Sequence, residues 1–452
     1  MKEDDKISRR DALKYMGVTA LGLVVAGAGV DALAGNDGVP GIGGGKQADD
    51  QSLQVDKRTD PKSGVVNSLL GFGCMRFPQT GDGKIDEPLA TKMIDYAYAH
   101  GVNYFDTAWM YHNGESETFI GKTLKKYPRE SFHLTTKMPS PNIKNLDDAK
   151  KIFAAQLQKC QVDYFDYYLL HTLYDEKMFH EVYEDDGVLD WLLEQKKAGV
   201  IRRLGFSFHG TVDFLKYLME NHEWDVVQIQ CNYYDWEGEE NSKEKYEIIT
   251  AHNTPVIVME PIRGGMLANP NPDARDLMKK AEPKASPSSW ALRYVASLPN
   301  VMVILSGMSA MEHVQDNIRT LSNFKPLTDA ERGILAQALV YIMGAPLIRC
   351  TGCHYCMPCP FGVDIPGNFA VYNNLVNEKL IPYLDQKGTA DYERRKKAFF
   401  NYYSKMEDKT LYDRCVKCGR CMRLCPQHIR IPQELQKIKT LSEGLQATEA
   451  KV

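Results

Sequence analysis

Eight of the chain's 11 cysteines fall in two short runs, Cys350, Cys353, Cys356 and Cys359, then Cys415, Cys418, Cys421 and Cys425. A proline closes each run, Pro360 and Pro426. Thiols two residues apart on a tight turn are poor disulfide partners for each other and point instead at one centre. Zinc sites usually draw on two separate pairs, whereas four thiols in one run supply ligands for an iron–sulfur cluster. Two groups of four fit two 4Fe-4S clusters. Cys74, Cys160 and Cys231 stand apart and read as small buried apolar side chains.

The second run has the spacing of bacterial ferredoxins, while the first has two residues rather than three between its third and fourth cysteines. In two-cluster ferredoxins the fourth cysteine of a run ligates the other cluster. That rule groups Cys350, Cys353 and Cys356 with Cys425, and Cys415, Cys418 and Cys421 with Cys359. The segment Asp391 to Lys409 between the runs, rich in Lys, Glu and aromatics, reads as helical. The expectation is a mainly helical ferredoxin-like domain over 326–440, with a tail over 441–452.

A second set of reactive groups closes apolar runs upstream. Asp106 ends one, with Tyr111 five residues on; Lys137 and His171 end two more. The β-branched and aromatic runs are Val66–Phe72, Asn103–Thr107, His133–Lys137, Phe165–His171, Arg203–Phe208, Val226–Asn232, Pro255–Glu260 and Val301–Ser306. Amphipathic helical stretches lie between them, among them Glu87–His100, Leu146–Gln161 and Val188–Ala198. Strand–helix alternation implies parallel sheet, and eight units suggest a closed (β/α)8 TIM barrel over 61–325. No GxGxxG follows a first strand, which disfavours a doubly wound sheet. Thr328 and Glu331 form a capping-box signature for a helix to Met343, so the domain boundary is expected near Lys325. In a barrel the C-terminal strand ends share one mouth, which would bring carboxylate, phenol, ammonium and imidazole together.

The segment Asp106-Thr107-Ala108-Trp109-Met110-Tyr111, followed by Gly114-Glu115-Ser116-Glu117, resembles the aldo-keto reductases. So do the lysine of Thr135-Thr136-Lys137 and the histidine of Leu169-Leu170-His171. The resemblance covers roughly Asn67 to Asn317, and with the cysteine runs the chain is similar to the iron–sulfur branch of that family. It implies hydride transfer between NADP or NAD and a small carbonyl or alcohol substrate. Tyr111 is then the acid in reduction and the base in oxidation, its pKa brought down from about 10 by Lys137. Asp106 holds Lys137, and His171 orients the carbonyl. Ser207 and Gln228 fall where the family holds the carboxamide. Ser306, Gly307 and Asn317 lie at the adenosine end, where a helix start can take pyrophosphate. The chain departs from the pattern at Phe208 (usually asparagine), at Met259 (often a stacking tyrosine), and at Gly307 and His313, where a lysine and an arginine usually take a 2′-phosphate.

Ser8-Arg9-Arg10-Asp11-Ala12-Leu13-Lys14 resembles a twin-arginine export signal. An apolar stretch, Tyr15 to Val30, leads to the cleavage-site pattern Ala32-Leu33-Ala34, so the signal is expected over 1–34 and a Gly-rich tether over 35–60. The stretch is short for a span, so no stable membrane span is expected after cleavage. The expected location is periplasmic or otherwise exported, with the twin-arginine machinery as a partner; that route carries folded proteins, which suits a chain that folds around clusters. Lys+Arg number 55 against Asp+Glu 59, a net charge of −4, which gives no support for nucleic-acid binding. Lys417, Arg420, Arg423 and Arg430 around the second run offer a face to an acidic redox protein. The competing class is an exported electron carrier whose barrel docks or senses without carbonyl turnover.

Overall fold

The structure, a computed structural model, describes residues 52–446. The expected signal, its cleavage site and most of the tether lie outside the described residues. A short antiparallel hairpin, β1 (Lys57–Thr59) and β2 (Val66–Ser68), precedes the barrel. The barrel strands are β3 (Leu70–Gly73), β4 (Tyr104–Asp106), β5 (His133–Met138), β6 (Tyr167–Leu173), β7 (Leu204–Phe208), β8 (Val226–Gln230), β9 (Val256–Met259) and β10 (Val301–Ser306). They are parallel and close as β10-β3-β4-β5-β6-β7-β8-β9.

The expected run Val66–Phe72 is in fact two strands. Its first half pairs with β1, and only its second half joins the barrel. The hairpin sits under the barrel floor, where Asn67 Nδ2 donates to Tyr167 Oη at 2.9 Å. Tyr104, Tyr167, Leu169, Val226, Ile257, Met302, Val303 and Leu305 fill the interior, so the barrel is a packed body with its chemistry confined to the upper rim.

Helices form between strands where apolar spacing meets a cap. Glu87–Ala99 begins where the Asp86 carboxylate accepts from Leu89 N, and it buries Ala90, Met93, Ile94 and Ala97 against the barrel. Leu146–Cys160 begins at Asn145, whose side chain accepts from Asp148 N, and ends at left-handed Gln161.

Three expected boundaries move. The tether cannot reach residue 60, because Val55 is buried and its N–H donates to His100 O. The boundary near Lys325 is too early: the helix Asp329–Met343 has the expected capping box, but its Leu335, Ala336, Leu339 and Ile342 belong to the barrel's core. The expected tail continues the helix Ile431–Gln446, with Leu445 buried. The helix placed over Asp391 to Lys409 runs Ala390–Tyr403 and stops short of the expected end.

The C-terminal unit has its own core, built from Val363, Ile365, Phe369, Tyr392, Phe399, Ile431, Leu435 and Ile438 among others. It rests on the barrel mouth. Arg263 is the central tie: its Nε donates to Asp235 Oδ1 at 2.9 Å, its Nη1 to Arg349 O at 3.1 Å and its Nη2 to Gln427 Oε1 at 3.2 Å. Gln427 Nε2 donates back to Gln230 Oε1 at 2.7 Å. Beside them Gly264, at φ +63°, lies against the Thr351 carbonyl, where a Cβ would stand 2.1 Å from the oxygen.

Candidate active site

Register brings the reactive groups to one rim. Asp106 ends β4 opposite Gly73 on β3 and Thr135 on β5. Two residues beyond Thr135, Lys137 is fully buried, and its ammonium donates to Asp106 Oδ1 at 2.6 Å and to Thr107 O at 2.7 Å. The ammonium lies 5.1 Å from the centre of the Tyr111 ring. Tyr111 sits on a short turn after β4, buried, with left-handed His112 and Asn113 behind it. His112 Nε2 accepts from Phe77 N at 3.1 Å and ties this turn to the segment after β3. Burial takes the His112 imidazole down to about 4, so it stays neutral and keeps accepting.

His171 enters through an irregularity in β6. The pairing with β7 shifts between Leu170 and Leu173, and Thr172 takes φ +58°. The Thr172 N–H donates to Ser207 Oγ at 2.8 Å. The bulge turns the His171 ring toward the mouth, edge-on to Tyr111 with centroids 5.9 Å apart. Burial, with Lys137 and His209 nearby, holds the His171 imidazole well below its ordinary pKa, so it is neutral at neutral pH.

The sequence expectation for Tyr111 is reversed in direction. Burial pushes the phenol well above its ordinary value, and the neighbouring Tyr355 and Asp106 push the same way. The Lys137 ammonium lies against the ring, engaged by Asp106 and Thr107, and does not outweigh that burial while the phenol is protonated. Burial also raises Asp106, opposed by Lys137. The mouth therefore holds a protonated phenol and a neutral imidazole.

A cavity of about 390 Å³ opens above them, lined by Asp106, Tyr111 and His171 and by all five residues expected to touch a dinucleotide, Ser207, Gln228, Ser306, Gly307 and Asn317. Lys137 lies behind the wall. Gln228 Nε2 donates to Met259 Sδ at 3.4 Å, and its buried Oε1 has no protein partner, leaving an acceptor for a carboxamide N–H. Ser207 Oγ is partly spent on Thr172. Asn317, midway along the helix Met311–Leu321, donates from Nδ2 to Ser306 Oγ at the end of β10 at 2.9 Å. Gly307 packs against the Arg76 side chain.

Sequence reasoning missed four titratable residues of this wall: Arg76, His209, Glu260 and Tyr355. Arg76 lies 3.8 Å from Glu260 and donates to Thr351 O at 2.6 Å. Burial pushes Glu260 up and His209 down to about 3. Arg76, His209 and Glu260 each lie just past a barrel strand, which was the available signal. Tyr355 comes from between two cysteines of the other domain, and no local pattern links it to the barrel.

The eight thiols gather as the ferredoxin rule expects. Cys350, Cys353, Cys356 and Cys425 line one pocket, and Cys359, Cys415, Cys418 and Cys421 line a second with Cys356 at its edge. Among the described residues no three His, Cys, Asp or Glu side chains converge closely enough for a single metal ion. The donor set fits a larger, thiolate-held group in each pocket. Cys353 also lines the cavity that holds Tyr111 and His171.

Residues 69–339 match the aldo/keto reductase family and residues 349–430 a 4Fe-4S dicluster domain. The chain is 25% identical over 296 residues to the NADH-specific methylglyoxal reductase of Escherichia coli (strain K12), covering 57% of this chain and 89% of that protein. It is 24% identical over 291 residues to a probable aldo-keto reductase of Glycine max, covering 57% of this chain and 82% of that protein. Among solved structures, the holo form of an aldo-keto reductase from Bacillus halodurans superposes with a TM-score of 0.52 at 26% identity, over 63% of this chain and 96% of that one. The chain therefore belongs to the aldo/keto reductase family of oxidoreductases and carries a C-terminal 4Fe-4S dicluster domain.

Proposed function

We propose that the protein reduces a small carbonyl substrate with a bound nicotinamide dinucleotide, using Tyr111 as proton donor and two 4Fe-4S clusters for electron transfer. The observation that carries this is the buried Asp106–Lys137 pair set behind Tyr111, with His171 edge-on beside it, at the base of a cavity that ends in the unpartnered Gln228 Oε1. A bound nicotinamide supplies the hydride. The protein's part is positional and protic. Gln228 and Ser207 would hold the carboxamide, and the uncapped start of Met311–Leu321 with Arg76 would take the pyrophosphate. His171 takes one lone pair of the substrate oxygen, and Tyr111 delivers its proton to the other as charge develops there. The Lys137 ammonium, fixed by Asp106, stabilises the phenolate left behind. A barrel used only for docking would have no use for such a buried pair, whose desolvation is costly.

The adenosine end favours NAD over NADP. Asp316 lines it, and the lysine and arginine that would meet a 2′-phosphate are replaced by Gly307 and His313. The two thiol pockets would each hold one cluster, and the first pocket shares Cys353 with the substrate cavity.

The surface over the second thiol pocket suits a redox protein. Lys417, Arg420, Arg423 and Arg430 are exposed and form no ion pair among the described residues, Cys418 is exposed, and Val416 is 56% exposed beside Met422 and Leu424. An apolar centre with a basic rim over a cluster suits an acidic electron carrier. The resemblance of Ser8–Lys14 to a twin-arginine signal supports work outside the cytoplasm, with the nicotinamide carried out in the fold. Among the described residues no helix is long and apolar enough to cross a membrane.

The test is titration of anaerobically prepared protein with NADH and NADPH, followed by nicotinamide fluorescence. The expected result is saturable binding, tighter for NADH, and at least ~10-fold weaker in Gln228→Leu, which leaves the carboxamide unpaired. No saturable binding of either dinucleotide would end this assignment.

A further inference from the structure

Tyr355 leaves its own domain. It sits between Cys353 and Cys356, yet its hydroxyl lies 3.1 Å from His171 Nε2 and its ring stands edge-on to that imidazole with centroids 6.2 Å apart. It lines the same cavity as Asp106, Tyr111 and Gln228. The loop that carries it is pinned to the barrel on both sides of Gly264. Arg76 donates to Thr351 O at 2.6 Å and to Gly352 O at 3.4 Å, and Arg263 to Arg349 O at 3.1 Å. Gly264 itself leaves no room beneath Thr351. The phenol is a fixed part of the cavity wall.

Its position constrains the substrate. His171 Nε2 is the ring nitrogen turned to the mouth, since Nδ1 is buried without a partner. A substrate oxygen that bonds to Nε2 must meet the Tyr355 hydroxyl at the same point. A plain aldehyde would displace that hydroxyl from His171 and set hydrocarbon against it, leaving a polar group poorly paired. A substrate with an oxygen on the carbon next to the carbonyl pairs both: one oxygen for Tyr111 and His171, the other for Tyr355.

We propose that Tyr355 is a substrate-binding residue of the carbonyl site, contributed by the iron–sulfur domain, and that it selects α-hydroxy and α-oxo carbonyl compounds. This rests on the carbonyl chemistry proposed above. Displacing the Tyr355 hydroxyl from His171 makes the preference sharp, because sites built to pair a substrate oxygen reject analogues that lack it.

The experiment compares intact, anaerobically prepared protein with its Tyr355→Phe variant in two assays. In the first, kcat/KM is measured for glyceraldehyde and for propionaldehyde, which share a carbon count. The native protein is expected to favour glyceraldehyde by at least ~10-fold, and Tyr355→Phe to shrink that ratio several-fold, chiefly through glyceraldehyde. The second assay needs no turnover. The electron paramagnetic resonance signal of the reduced clusters is recorded with 1,2-propanediol and with 1-propanol. Only the diol is expected to alter it, and only when Tyr355 is present. An equal glyceraldehyde preference in both proteins, or a diol response that survives in Tyr355→Phe, overturns the proposal. Absence of turnover on both aldehydes with the diol response intact would instead refute the carbonyl chemistry and leave the Tyr355 contact standing.

Discussion

The ammonium of Lys137 is bonded to the Asp106 carboxylate at 2.6 Å inside a fully buried strand end, and this pair lies at the base of the barrel mouth. Its two members depend on each other. Lys137→Met leaves a buried carboxylate with one partner gone, a change that costs about 3–5 kcal/mol in comparable sites. Removing both charges together, as Lys137→Met with Asp106→Asn, costs less, because no charge is left unmet. Thermal midpoints measured anaerobically should fall in the order native, double variant, single variant, with reductase activity lost in both variants.

The direction of the Tyr111 shift sets the pH dependence. Burial raises the phenol, so its O–H is present at every pH below that raised value. His171, shifted down, is already neutral. Carbonyl reduction should therefore show a flat kcat/KM from about pH 6 to about pH 9. Alcohol oxidation needs the phenolate, and should be slow at neutral pH and climb by up to about tenfold per pH unit. Steady-state profiles in both directions check this; an alkaline limb in reduction within that window would place the phenol's pKa lower than burial implies.

The thiol pockets cross-pair the two cysteine runs, and the two fourth cysteines distinguish the clusters. Cys425→Ala should disturb the cluster beside the substrate cavity, and Cys359→Ala the one near the exposed Cys418. Each variant should lose about half of its iron and sulfide. Only Cys425→Ala should alter substrate selectivity, since Cys353 and Tyr355 line the cavity and share that first pocket's loop. Equal selectivity changes in both would argue that the runs pair differently.

Gly264 offers a test of the domain contact without touching a ligand. A methyl group there stands 2.1 Å from the Thr351 carbonyl oxygen and strains a backbone at φ +63°. Gly264→Ala should displace the Thr351–Tyr355 loop and speed cluster loss in air, while circular dichroism of the barrel stays unchanged. Gly265→Ala is the matched control: it also has a positive φ, +100°, but open space where its Cβ would fall.

Much of this was legible in the chain because it is carried by local spacing. Apolar runs at regular intervals gave the strands, and the cysteine spacing gave the grouping of all eight thiols. Asp106, Lys137 and His171 could be read because each closes an apolar run, and strand ends share a rim in a barrel. What could not be read is what depends on long-range packing. The capping box at Thr328 located a helix correctly, but not the core it joins, since Leu335 and Leu339 fit either domain equally well by pattern. The fall expected for the Tyr111 pKa came from the presence of Lys137; burial, which spacing does not report, reversed it. Tyr355 sits 184 positions from His171, and nothing between two cluster cysteines announces a residue of another domain's active site.

The most direct measurement is single-turnover oxidation of bound reduced nicotinamide by an aldehyde, in native protein and in Tyr111→Phe, under anaerobic conditions. With Tyr111 as proton donor, the variant should bind nicotinamide as the native protein does and lose at least ~100-fold in the rate of its oxidation. Equal rates in the two proteins would show that the proton comes from elsewhere and that the Asp106–Lys137–Tyr111 arrangement is not the catalytic centre.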